Sequence, residues 1–211
     1  MSATLYARLA DMTDAPSPAP SRAAVAPTPD AGGYLTLSSR IAYRNRWLRL
    51  REDIIRRPDG SEGLYGVVER DDFAVIVAVD DNDCIAMVEQ YRYPVGRRML
   101  ELPMGMWEDD PDADPAALAA GELAEETGLR ALHLVEIGIL FQGAGYSTQK
   151  GHVFHATGLS QGGTRREASE ADMVARMVPR AEVERLIGEG GITCAVTIAA
   201  LAITRARGLI D

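Results

Sequence analysis

The chain has 211 residues, 46% of them hydrophobic, with a formal charge of −9 and a pI of about 4.9. That length suits one domain, or one domain and a tail, with a substantial core. The acidic balance speaks against a nucleic-acid binder, which carries a basic face, and no apolar run approaches the ~20 residues that a membrane span needs.

In chain order, the opening "MSATLYARLADMTDAPSP" lacks the basic and apolar regions of a secretory signal, so a cytoplasmic location is expected. Residues 1–12 can form a short helical turn, and residues 13–33, rich in Pro, Ala and Ser, cannot bury enough surface to fold. The expected organisation is therefore a disordered tail over 1–33 and one domain over 34–211. From Tyr34 the chain alternates in places and turns at "RPDGSEG", a hairpin connection. The run "FAVIVAV" (73–79) reads as a strand buried on both faces. "DDND" turns the chain, "CIAMVEQYRY" returns as its partner strand, and a short strand "MLELP" comes after it.

A helix comes next. Asp114 suits its N-cap, Pro115 its first position, and Gly128 the left-handed residue that ends it. At about 100° per residue, Glu122, Glu125 and Glu126 project to one side and Ala116, Ala120, Leu123 and Ala124 to the other. Strands return at "LHLVEIGILFQ", "KGHVFHATGL" and "ADMVARMVP", and two helices close the chain at "AEVERLIGEG" and "ITCAVTIAALAITRARG". This order predicts an α+β fold, a mixed sheet between helices preceded by an antiparallel strand region. Cys84 and Cys194 form neither a metal-ligand spacing nor a disulfide framework. They read as buried thiols in a reducing compartment.

Three carboxylates at i, i+3 and i+4 repel each other and weaken a helix slightly. A solvated acidic face is the plain reading. A hard-cation site is the functional one, because Mg²⁺ prefers carboxylate oxygens and shares its other positions with water and phosphates.

The stretch "LELPMGMWEDDPDADPAALAAGELAEETGL" resembles the Nudix box, with Gly105 at the opening glycine and Glu122, Glu125, Glu126, Gly128 and Leu129 in the second half. "EQYRYPVGRRMLELPMG", "GAGYSTQKGHVFHATGL" and "LIGEGGITCAVTIAAL" resemble the ADP-ribose pyrophosphatase branch of that family. The resemblance covers roughly residues 45–205. It implies the Nudix fold and Mg²⁺-dependent (or Mn²⁺-dependent) hydrolysis of a nucleoside diphosphate sugar by a homodimer, with no nucleic-acid or membrane partner. ADP-ribose, cleaved to AMP and ribose 5-phosphate, is the expected substrate.

The implied metal ligands are Glu122, Glu125, Glu126 and the carbonyl of Met104. Glu122 and Glu125 are also the expected catalytic carboxylates. Glu170, chosen from the loop that holds Glu167, Glu170 and Asp172, is the expected general base, with an acidic surface loop as its plain reading. Arg92 would grip phosphate or ribose, Glu101 the sugar hydroxyls, and Arg70 would reach across a dimer, with Gly105 opening the loop. Trp47 and Tyr65 are candidates for stacking on adenine, although core packing is the plainer role for both. His133, His152 and His155 read as strand residues without catalytic duty.

The chain departs from the family pattern in four places. The family's Arg is Gly121. Its earlier Glu falls on Ala113, with Asp109, Asp110, Asp112 and Asp114 nearby. The loop is two residues longer. The Glu after the Ser-Pro-Gly-type loop is Gln149. Losses among groups that orient metal ligands cost 10–100-fold in affinity or activity, so a slow enzyme is expected. The alternatives are a nucleotide sensor that does not hydrolyse, or a pyrophosphatase for another nucleotide.

Overall fold

A computed structural model describes residues 30–106, 114–163 and 172–211. The expectations for the rest of the tail, for Asp109, Asp110, Asp112 and Ala113, and for Glu167 and Glu170 lie outside the described residues. The described chain falls into two compact units: the residues up to Asp71 with Gly143–Gln149, and Asp72–Gln142 with Lys150–Asp211.

The first unit is an antiparallel sheet of β1 (Leu35–Arg44), β2 (Arg49–Arg56) and β3 (Glu62–Glu69), in that order. Asn45 closes the first turn because its side-chain oxygen accepts from the amides of Trp47 and Leu48, both at 2.9 Å. The predicted turn at "RPDGSEG" closes the second. Asp59 accepts from the Ser61 amide at 2.9 Å, and Gly60 takes φ +84°, where a side chain would be strained. The segment Gly143–Gln149 joins this unit through a bridge from Ser147 to Val68 and through the Tyr65 hydroxyl, which donates to the Gly145 carbonyl at 2.8 Å.

The second unit holds β4 (Phe73–Ala78), β5 (Cys84–Arg92), β6 (Arg97–Glu101), β7 (Met104–Gly105), α1 (Pro115–Glu122), β8 (Leu129–Phe141), β9 (Lys150–Gln161), β10 (Val174–Pro179), α2 (Arg180–Gly188) and α3 (Ala195–Ala206). They form two sheets, β10-β5-β6 and β7-β4-β9-β8. β4 pairs parallel with β9 and antiparallel with β7, so the sheet is mixed.

Every residue of β4 is buried, as its unbroken apolar run predicts. Phe73, Val75 and Val77 join Ile85, Met87, Leu100, Val183, Val196, Ala200 and Leu201 in one core cluster. Ala74, Ile76 and Ala78 join Leu118, Ala119, Leu123 and Phe154 in the other. Helices thus cover both faces, and the α+β expectation holds.

The expected β4–β5 hairpin does not form. A single bridge, Val79 to Ile85, links the two runs, and β5 then pairs with β6 and β10 in the other sheet. Hairpin logic favours the neighbour in sequence. Here β4 can bury both faces only by taking β9 and β7 as flanking strands, and those pairings leave no edge for β5. Cys84 and Cys194 are free thiols, half-buried rather than buried.

Candidate active site

α1 starts as its sequence predicts. The Asp114 side chain accepts from the Ala116 amide at 3.2 Å, with Pro115 next to it. It does not end as a regular α-helix. Leu123–Thr127 is a π-helical turn, closed by Gly128 at φ 76° with its amide donating to Ala124. A π-turn widens one turn of the helix and so rotates every later position about the axis. The expected apolar face is therefore corrected, and Glu126 is more deeply buried than a forward carboxylate suggests. Glu126 is 1% exposed, while Ala120, expected on the core side, faces solvent. Leu118, Ala119 and Leu123 form the buried face instead.

The inward turn of Glu126 has a use. Its carboxylate accepts the Met104 amide at 3.0 Å, a charge-assisted bond that ties the turn to β7. Glu122 meets the same segment differently. A Cβ built on Gly105 would stand 2.4 Å from the Glu122 carboxylate, so this glycine exists because the carboxylate lies where a side chain would be. Glu125 is half-buried on the same turn. The structure thus brings Met104, Gly105, Glu122 and Glu126 together.

Among the described residues, no group of three or more His, Cys, Asp and Glu could by itself hold a metal ion. The donor chemistry nonetheless suits Mg²⁺, which binds through one or two carboxylates and completes its shell with water and substrate phosphates.

Arg92 and Glu101 face each other from β5 and β6. The Arg92 Nε donates to the Glu101 carboxylate at 2.7 Å, and Glu101 is 4% exposed. Cys194, just before α3, completes this cluster. Burial pushes its thiol pKa up and the Glu101 carboxylate pushes the same way, with Thr197 opposing. Asp172 pairs with Arg98 at 2.6 Å. His152 bonds Glu136 at 2.9 Å, and burial holds the His155 imidazole below its usual pKa.

The first unit carries a cavity of about 400 Å³ lined by Arg44, Arg46, Trp47, Arg49, Glu69, Arg70, Asp71 and Thr148, among others. Trp47 is 36% exposed, and the Arg46 guanidinium stacks on its ring at 4.3 Å. Tyr65 is 42% exposed. The core roles considered for these two aromatics are therefore wrong. Arg44, Arg46 and Arg49 escaped the sequence reading, although basic residues interleaved with Trp in "RNRWLR" are a signal for stacking and phosphate contact.

Gln149 also changes meaning. It is 2% exposed and donates through its side-chain nitrogen to the Asp71 carbonyl at 2.6 Å. A glutamate cannot make that bond, so glutamine here is a structural latch.

Comparison with known proteins supplies the identity. Residues 35–68 match the family model of the nucleoside diphosphate sugar hydrolase N-terminal domain. The chain is 39% identical to the ADP-ribose pyrophosphatase of Mycobacterium tuberculosis over 168 residues, 79% of this chain and 80% of that protein. It is 30% identical to the ADP-ribose pyrophosphatase of Bacillus subtilis over 139 residues, 66% of this chain and 74% of the other. A crystal structure of an ADP compounds hydrolase shares the fold, with a TM-score of 0.71 at 20% identity, covering 88% of this chain and 96% of that one.

Sheets between helices, with a glutamate-rich turn against a glycine, are the fold and motif of a pyrophosphohydrolase of the Nudix type. The chain belongs to the Nudix hydrolase family, in its ADP-ribose pyrophosphatase branch.

Proposed function

We propose that this protein hydrolyses the pyrophosphate bond of ADP-ribose, giving AMP and ribose 5-phosphate, with Mg²⁺ as the metal and Mn²⁺ as a substitute. The observation that carries this reading is the packing of the acidic turn on β7, with Glu122 against Gly105 and Glu126 on the Met104 amide. Glu122, Glu125, Glu126 and the Met104 carbonyl would hold the metal. Once bound, the ion neutralises phosphate charge and lowers the pKa of a water.

The chain's own residues do the rest. Glu126 fixes β7 so that Met104 and Gly105 stay beside the turn. Glu122 and Glu125 set negative charge where the cation is needed. Glu170 is proposed as the base that removes the proton from the attacking water. Arg92 offers donors to phosphate or ribose while Glu101 orients it and accepts from sugar hydroxyls. Trp47 and Arg70, in the first unit's cavity, suit an adenine and an adjacent phosphate. We further propose a homodimer, in which Arg70 serves the partner's substrate, and a reducing cytoplasm in keeping with the two free thiols.

The test is a panel of nucleotide sugars with Mg²⁺ or Mn²⁺, read by phosphorus NMR. ADP-ribose should give AMP and ribose 5-phosphate, and EDTA should stop the reaction. Turnover unaffected by EDTA would end this mechanism. ADP-ribose binding without hydrolysis of any nucleotide sugar would replace the enzyme with a sensor.

A further inference from the structure

The link from β6 to β7, Leu102–Gly105, carries the two residues that meet the acidic turn, and β4 runs beside its later part, pairing with Met104 and Gly105. The Pro103 carbonyl accepts from the Ile76 amide of β4 at 2.9 Å. The Met104 amide donates to Glu126, and Gly105 lies under Glu122. Leu102 is the remaining position. Ladder pairing between β5 and β6 ends at Val88–Glu101, so the Leu102 amide has no strand partner in that sheet. Leu102 is fully buried, and an unsatisfied amide there would be expensive. Its partner is the Thr197 hydroxyl, at 3.1 Å, on the first turn of α3.

Thr197 is itself fully buried. The turn it belongs to touches β6 at two more points. Arg97 donates to the Thr193 hydroxyl, and Cys194 sits beside Glu101. Three features of one helix start therefore grip the strand that delivers Glu101 and then Met104.

We propose that Thr197 is a positioning residue for the metal and phosphate site. By accepting the Leu102 amide it anchors the start of the Leu102–Gly105 link where β4 does not hold it, and so steadies Met104 and Gly105 against Glu126 and Glu122. This inference rests on the reading of the acidic turn as a metal site.

The experiment compares Thr197→Val, which keeps the shape and removes the acceptor, with Thr197→Ser, which keeps the acceptor. Three quantities are read: Mn²⁺ affinity by electron paramagnetic resonance without nucleotide, exchange of the Leu102 amide by NMR, and kcat and KM on ADP-ribose. Thr197→Val should weaken Mn²⁺ binding and lower kcat by about tenfold each, the low end of the range for groups that orient metal ligands. KM should hold, Leu102 exchange should accelerate, and serine should restore all of these.

Wild-type Mn²⁺ affinity in Thr197→Val, or a serine variant as impaired as valine at equal thermal stability, would overturn the proposal. Should valine prevent folding, the wild-type protein still decides: rapid exchange of the Leu102 amide in an otherwise protected β6 would refute it. A wild type without hydrolase activity would sink the functional reading alone, because Mn²⁺ affinity and amide exchange still report on Thr197.

Discussion

The acidic turn of the second unit and the arginine cavity of the first handle charge in opposite ways. In the first unit, Arg49 of the cavity wall and Arg51 share Glu69, and Arg51 also grips the buried Asp53, so Glu69 and Arg51 each have two partners. In the acidic turn, like charges are held together by backbone geometry: a π-turn, a left-handed Gly128, and a glycine that leaves room for Glu122. A shared network spreads the loss of any one member. A site built from placement depends on each residue singly, and the position of the family pattern's arginine is Gly121 here.

That contrast ranks the expected effects. Glu125→Gln or Glu126→Gln should each lower kcat on the order of a thousandfold, as expected if a proposed metal ligand loses its charge. A loss as small as that of a cavity arginine would break the contrast.

Gly105→Ala should come next. The new Cβ displaces the tip of a flexible Glu122, so thermal stability should hold while kcat falls roughly a hundredfold, the scale of an ångström misplacement at a reacting centre. Unchanged kcat would show that Glu122 is free to work elsewhere.

Trp47→Ala should raise KM about tenfold with kcat unchanged, as expected when a base loses a stacking platform made equally in ground and transition states. A fall in kcat instead would move the cavity into the chemistry.

Two substitutions toward the family pattern should act oppositely on stability. Gln149→Glu should destabilise the fold by about 1–3 kcal/mol in urea unfolding, because the Asp71 carbonyl loses its donor and meets a carboxylate. Gly121→Arg should stabilise it by about 0.5–1 kcal/mol, the difference between glycine and an ordinary residue inside a helix. A gain in kcat/KM from the second would mark Gly121 as a lost brace. A gain in stability without rate would mean the site has adapted to glycine.

Much of this was legible from residues. The cap at Asp114, the stop at Gly128, the buried run of β4 and the turn at Asp59–Gly60 are local signals, and the structure contains all of them. The pairing of β4 was not legible, because its partners are chosen by burial across the whole sheet rather than by nearness along the chain. Nor was the burial of Glu126. A wheel drawn at 100° per residue cannot foresee a π-turn, and residue types alone do not announce one. The role of Gln149 was hidden for the opposite reason. The family comparison offered a missing glutamate, and only the Asp71 carbonyl shows what glutamine is for. Thr197 carried no motif at all.

The parallel pairing of β4 with β9 bears on how the protein is made. Phe73 meets Gly151, and α1, the π-turn and β8 all lie inside the loop that this contact closes. Closing so long a loop is entropically slow, and non-local pairings of this kind lower folding rates. A ribosome emits the glutamates well before the strand that completes the sheet behind them, and it emits α3, which takes the Leu102 amide, later still. A nascent chain stopped after the π-turn holds all three carboxylates but lacks β9 and α3. Competence should therefore appear abruptly near the end of synthesis, and the part of the sequence easiest to recognise is among the last to become an active site.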